Sequence, residues 1–146
     1  MAITAKMYGQ AILNAFKGLI DFENDTIKVA LCSSSYSVDQ DADDFFDSVT
    51  NELAAAGGYT SGGETIANCS LTYTAGTNVI KLDGDDVTWS AFTNTFRYAV
   101  IYDSTPGSAA TNPLIAYVDF GEDVGATGTD YTIEWNAGGI ATSTAA

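Results

Sequence analysis

Seven short runs of β-branched and aromatic residues, each closed by turn residues, fill the chain between Thr26 and Asn136. Alternation with a period of two, bounded by glycine, asparagine or aspartate, is the pattern of strands and leaves little room for helix. The run 26-TIKVALCS-33 puts Ile27, Val29 and Leu31 on one face. The run 65-TIANCSLTYT-74 ends at Ala75-Gly76-Thr77-Asn78, a hairpin-like turn, and 78-NVIKL-82 follows it. A second tight turn, 83-DGDD-86, leads into 87-VTWSAF-92. The run 96-FRYAVIYD-103 is apolar on both faces, with Phe96, Tyr98, Val100 and Tyr102 opposing Ala99 and Ile101, as in a central strand covered on two sides. The loop 104-STPGSAATN-112 separates it from 113-PLIAYVDFG-121, whose proline suits a strand edge. The last run, 130-DYTIEWN-136, alternates as a half-exposed strand does. Together they predict a mainly β chain: an antiparallel β-sandwich or small barrel of about seven strands.

One segment breaks the pattern. From Thr4 to Leu19, apolar residues at Met7, Tyr8, Ala11, Ile12, Ala15, Phe16 and Leu19 form one stripe of an amphipathic helix. That stripe has two uses: packing on the chain's own sheet, or docking as an N-terminal arm on a neighbour. Under the second, Ile3, Met7, Tyr8, Ile12 and Phe16 are the candidate interface residues. The length of 146 residues fits one domain, 1–146, made of an N-terminal helix or arm (1–20), a β domain (26–136) and a mobile tail (137–146). The opening segment does not read as a secretory signal, because Asn14 and Lys17 cut its apolar run. No stretch reaches the ~18 apolar residues of a membrane span.

Charge narrows the function. The chain has 19 acidic and 5 basic residues, no histidine and a net charge of −14. Nucleic-acid affinity rests on cations that displace counterions, and Lys6, Lys17, Lys28, Lys81 and Arg97 are scattered. Neither nucleic acid nor an anionic membrane is an expected partner. Without histidine the usual general base for a serine or cysteine nucleophile is missing, and no G-x-S-x-G elbow occurs. The segment 57-GGYTSGGE-64 has no phosphate-loop lysine and reads as a source of turns with positive φ. An enzyme is not expected, and no cofactor is implied. Arg97 reads as the ion-pair partner of an acidic neighbour such as Asp119 on an adjacent strand, or as a bridge at a subunit contact. Cys32 and Cys69 read as two small hydrophobes, with a single disulfide as the alternative.

The acidic run 36-YSVDQDADDFFDSVTNE-52 raises the question of a metal. Asp39, Asp41 and Asp43 alternate as in a calcium loop. However, the sixth position from Asp39 is Asp44 where an EF-hand needs glycine, and the twelfth is Thr50 where it needs glutamate. The run is not an EF-hand. Asp39, Asp41 and Asp43 remain weak candidates for an adventitious divalent ion, and Asp83, Asp85 and Asp86 read as turn residues.

Several ordered segments carry a family likeness. The stretches 2-AITAKMYGQAILNAF-16, 26-TIKVALCSSSY-36, 84-GDDVTW-89, 97-RYAVIYDSTPG-107 and 113-PLIAYVDFGED-123 resemble small virion structural proteins of tailed bacteriophages. The resemblance spans nearly the whole chain and transfers no site residue. It implies a capsid decoration (cement) protein: β-rich, homo-oligomeric, added to the outside of the assembled shell after synthesis in the host cytoplasm. Its partners would be the major capsid protein and copies of itself. The alternatives are a tail-tube or tail-tip subunit, and an adhesin module that binds Ca²⁺ or carbohydrate.

Overall fold

The computed structural model describes residues 2–145. Strand β1 (Thr4–Met7) is followed by helix α1 (Gly9–Phe16) and strand β2 (Ile27–Cys32). Then come β3 (Glu64–Thr65), β4 (Ser70–Thr74), β5 (Val79–Asp83), β6 (Val87–Asp103), β7 (Leu114–Ile133) and β8 (Ala141–Thr144). The fold is mainly β, as expected, with two antiparallel sheets and one short helix. The larger sheet has the order β1-β7-β6-β2-β3, and the smaller one β4-β5-β8.

Both faces of the larger sheet are covered. On β2, Ile27, Val29 and Leu31 point into the core shared with the second sheet, where they meet Ile101, Ile115, Leu82 and Ile140. Ala30 and Cys32 point the other way, into a smaller core with Tyr8, Tyr36, Val100, Tyr102 and Tyr117. The alternation of β2 and the two-sided apolarity of β6 therefore meant what they suggested. One parity is different. Phe96 and Tyr98 share a face in an unbroken strand, but a register shift lies between them, so Phe96 joins the larger core and Tyr98 packs on the smaller.

The strand boundaries also differ from the expectation. The runs at 87–92 and 96–103 are one strand of 17 residues, and those at 113–121 and 130–136 belong to one of 20. Thr93–Thr95 continue the ladder opposite Gly125–Thr127, and bulges rather than turns fall at Ala91, Gly121 and Gly128, which have φ of 49°, 80° and 69°. In contrast, 65–74 divides into β3 and β4, which belong to different sheets. The glycine-rich segment behaves as read: Gly57, Gly58, Gly62 and Gly63 all have positive φ.

The two ends of the chain need correction. Thr4–Met7, expected in the helix, pairs as an edge strand with Ala116–Asp119. Helix α1 begins only at Gly9 and stops at Gly18 (φ 73°), where Gly18 N–H bonds the Ala15 carbonyl and Leu19 N–H bonds that of Asn14. At the other end, the segment expected to be a mobile tail contains β8, which pairs with β5, and Ile140 is buried.

Candidate functional site

Helix α1 turns its small residues inward. Ala11 and Asn14 are buried, whereas Ile12, Leu13 and Phe16 are exposed, Phe16 by 88%. A helix serving only its own core would show the reverse. The smaller sheet carries a matching anomaly. On β4 and β5, Leu71 pairs with Leu82 and Tyr73 with Ile80, so all four side chains lie on the sheet's inner face. Only Leu82 is covered; Leu71, Tyr73 and Ile80 are exposed. The apolar face of the sheet thus runs past the end of the core.

These two surfaces meet. Between α1 and the smaller sheet lies a groove of about 300 Å³, lined by Met7, Ile12, Ala15, Phe16, Leu71 and Ile80 among others. The Glu23 carboxylate accepts the Leu71 N–H at 2.9 Å, and Leu19 closes the helix end. Exposed apolar side chains grouped in this way make the groove the candidate contact site of the described residues.

The residues singled out from sequence are divided by the structure. Ile12 and Phe16 lie together at the groove, and Met7, half-buried, forms part of its floor. Ile3 is 63% exposed but lies apart, near Val118, Phe120 and Trp135. Tyr8 is a correction: it is 1% exposed, and its ring packs 5.1 Å from that of Tyr117. The helix starts after Tyr8, so this side chain faces inward and offers nothing to a neighbour. Leu71, Tyr73 and Ile80 escaped sequence reading. Their alternation across the Ala75–Asn78 turn shows a shared face, but not that part of it stays uncovered.

The acidic run is a self-bonded loop anchored to the smaller core. Asp39 Oδ1 accepts the N–H groups of Asp41 and Ala42 at 3.1 and 3.0 Å. Asp43 Oδ2 accepts the Asp39 N–H and the Tyr36 hydroxyl, the latter at 2.8 Å. Because the Tyr36 hydroxyl donates to Asp43, it accepts from the Tyr8 hydroxyl 3.0 Å away, giving the hydrogen-bond chain Tyr8→Tyr36→Asp43. Burial pushes both tyrosine hydroxyls far above their ordinary range. Asp39, Asp41 and Asp43 do not converge, and no group of three or more possible metal ligands exists among the described residues. Asp83, Asp85 and Asp86 bond Lys81, Asn68 and the Trp135 N–H respectively.

Other sequence candidates have structural partners. Arg97 makes a two-pronged pair with Asp119, Nε to Oδ1 at 2.8 Å and Nη2 to Oδ2 at 3.1 Å, as expected. The pair holds the Asp119 carboxyl below its usual range and raises the guanidinium value. Cys32 is buried and Cys69 half-buried, both free; burial pushes their thiols up to about 12 and about 11. Among the aromatics, Trp89, Tyr102 and Tyr117 are buried, whereas Tyr98, Tyr131 and Trp135 are partly exposed. No protein-family model, curated protein or solved structure matches the chain.

Proposed function

We propose that the chain is a structural protein of a phage particle, without enzymatic activity, which binds the assembled capsid surface and stabilises it through protein–protein contacts. One observation carries this reading: the helix presents Ile12 and Phe16 outward beside the uncovered Leu71 and Ile80. Such a surface serves macromolecular contact, and the segment resemblances point to a virion as its setting. The net charge of −14 suits a position outside the shell, away from packaged DNA. A protein that binds the finished lattice and not its precursors stabilises the lattice by linkage, repeated over many sites.

The test mixes labelled protein with separated heads and tails that lack it, sediments each, and examines the pellets by electron microscopy. Saturable binding to heads is expected, and Phe16→Asp should reduce it at least about tenfold, a loss typical of a central apolar anchor. No binding to heads, together with tubes or rings formed by the protein alone, would place it in the tail instead.

A further inference from the structure

Two sheet edges face one groove. The groove, of about 700 Å³, runs between β1 of the larger sheet and β8 of the smaller, with Ala5, Lys6, Ala141, Thr142 and Thr144 on its walls. The directions of the backbone groups follow from the register. Tyr8 N–H bonds the Ile115 carbonyl, one step beyond the Met7–Ala116 pair, so Lys6 and Thr4 also turn their backbone groups toward β7. Ala5 and Met7 alternate with them and turn theirs outward. The Gln40 side-chain amide donates to the Met7 carbonyl at 3.0 Å, as this parity requires. On the other wall, Ala145 N–H bonds the Asn78 carbonyl, which by the same rule turns Thr142 and Thr144 outward. Among the described residues the N–H and C=O groups of Ala5, Thr142 and Thr144 have no partner. The remaining edges are shorter or blocked: β3 has two residues, and on β4 the Glu23 carboxylate takes the Leu71 N–H.

We propose that the β1 edge takes up an extended segment of another protein, which becomes a sixth strand of the larger sheet. Outward groups at alternate residues are satisfied by an extended chain, whereas a helix has already spent its backbone groups on itself. Side chains give the segment its chemistry. By the period of two, Ile3, Ala5 and Met7 share one face of β1, and Thr4 and Lys6 the other. Ile3 and Ala5 border an apolar recess with Val118 and Phe120, so the incoming strand carries apolar residues on that side. Lys6 is exposed and has no ion-pair partner among the described residues. No aspartate or glutamate lines the groove; the Asp41 carboxylate lies near Gly9 at one end. The segment therefore alternates apolar and polar residues and places a carboxylate opposite Lys6. This contact is separate from the apolar face of α1 and does not depend on the capsid reading.

The probe is a capped, labelled peptide that alternates valine and threonine around a central glutamate, with a central lysine in its counterpart. Fluorescence anisotropy with the whole chain should show saturable binding of the glutamate peptide between about 10 μM and 1 mM. The lysine peptide should bind about fivefold more weakly, although a net charge of −14 attracts it, and Lys6→Glu should reverse the preference. Amide exchange should slow at Ala5 and Met7 on binding and stay unchanged at Thr4 and Lys6, which already bond β7. Ala5→Pro removes an outward N–H and spares the β1–β7 ladder; it should weaken binding about tenfold, whereas Ala5→Val should bind as wild type does. Thr142→Pro, on the facing edge, should change binding by less than about twofold. No binding up to about 1 mM, unchanged exchange at Ala5, equal affinity for the two peptides, or a loss with Thr142→Pro in place of Ala5→Pro would each overturn the proposal.

Discussion

Asp103 closes β6 with no exposed surface. Its Oδ1 accepts the Thr105 N–H at 2.8 Å, while its Oδ2 has no hydrogen-bond partner among the described residues. Burial, reinforced by the neighbouring carboxyl of Asp25, pushes its pKa from 3.8 up to about 6. An acid whose folded value exceeds its unfolded one stabilises the fold most below the unfolded value. That stability is fully present below about pH 3.8 and disappears as pH rises through about 6. The Asp103→Asn protein keeps the acceptor for Thr105 and adds a donor toward Asp25. It should be more stable than wild type at pH 8, on the order of 2 kcal/mol, with a flatter profile between pH 4 and 7. Urea unfolding across that range measures it, and parallel profiles for the two proteins would refute the assignment. Gly63 shows the same dependence on surroundings in backbone form: its φ is +74°, and a Cβ there would collide with the Val29 carbonyl.

At the scale of elements, β8 departs furthest from its sequence. The stretch 137-AGGIATSTAA-146 has the composition of a loose end. Yet Ile140 N–H bonds the Leu82 carbonyl, and four residues pair with β5. Without β8 the smaller sheet is a two-stranded hairpin, which is marginal in water. Removing residues 141–146 should lower stability by roughly 2 kcal/mol and speed amide exchange at Val79–Asp83, both readable in one exchange experiment. Unchanged exchange in β5 would mean that the pairing contributes nothing. Helix α1 makes the complementary point. Its apolar stripe is real, but β1 takes the first residues of the periodic segment because the exposed edge of β7 satisfies their backbone groups. What remains is too short and too outward-facing to serve as a core helix.

At the scale of the molecule, net charge sets the terms. Nineteen carboxylates against five cations make the folded chain repel itself, and salt screens that repulsion. Raising NaCl from about 10 mM to about 0.5 M should lift the melting temperature by several degrees. Calcium chloride at equal ionic strength should do no more, since Asp39 and Asp43 are engaged with their own loop. A further rise specific to calcium would instead identify a bound ion and favour the adhesin alternative. The charge also has a direction: the apolar groove adjoins a segment, residues 2–20, with lysines and no acid, on an otherwise acidic chain.

The alternation of Ile27, Val29 and Leu31, the turn at Ala75–Asn78 and the positive-φ glycines are local properties, and sequence alone determined them, along with the β class and the Arg97–Asp119 pair. Local sterics and a period of two need no distant partner to be read. Whether a glycine ends a strand or bulges it depends on the ladder opposite, so β6 and β7 were legible only as fragments. Likewise Tyr8, Ile12 and Phe16 are equivalent on a helical wheel, and tertiary packing alone decided that Tyr8 bonds Tyr36 while Phe16 faces water. An exposed apolar surface is a statement about what fails to cover it, and coverage is set by elements distant in the chain.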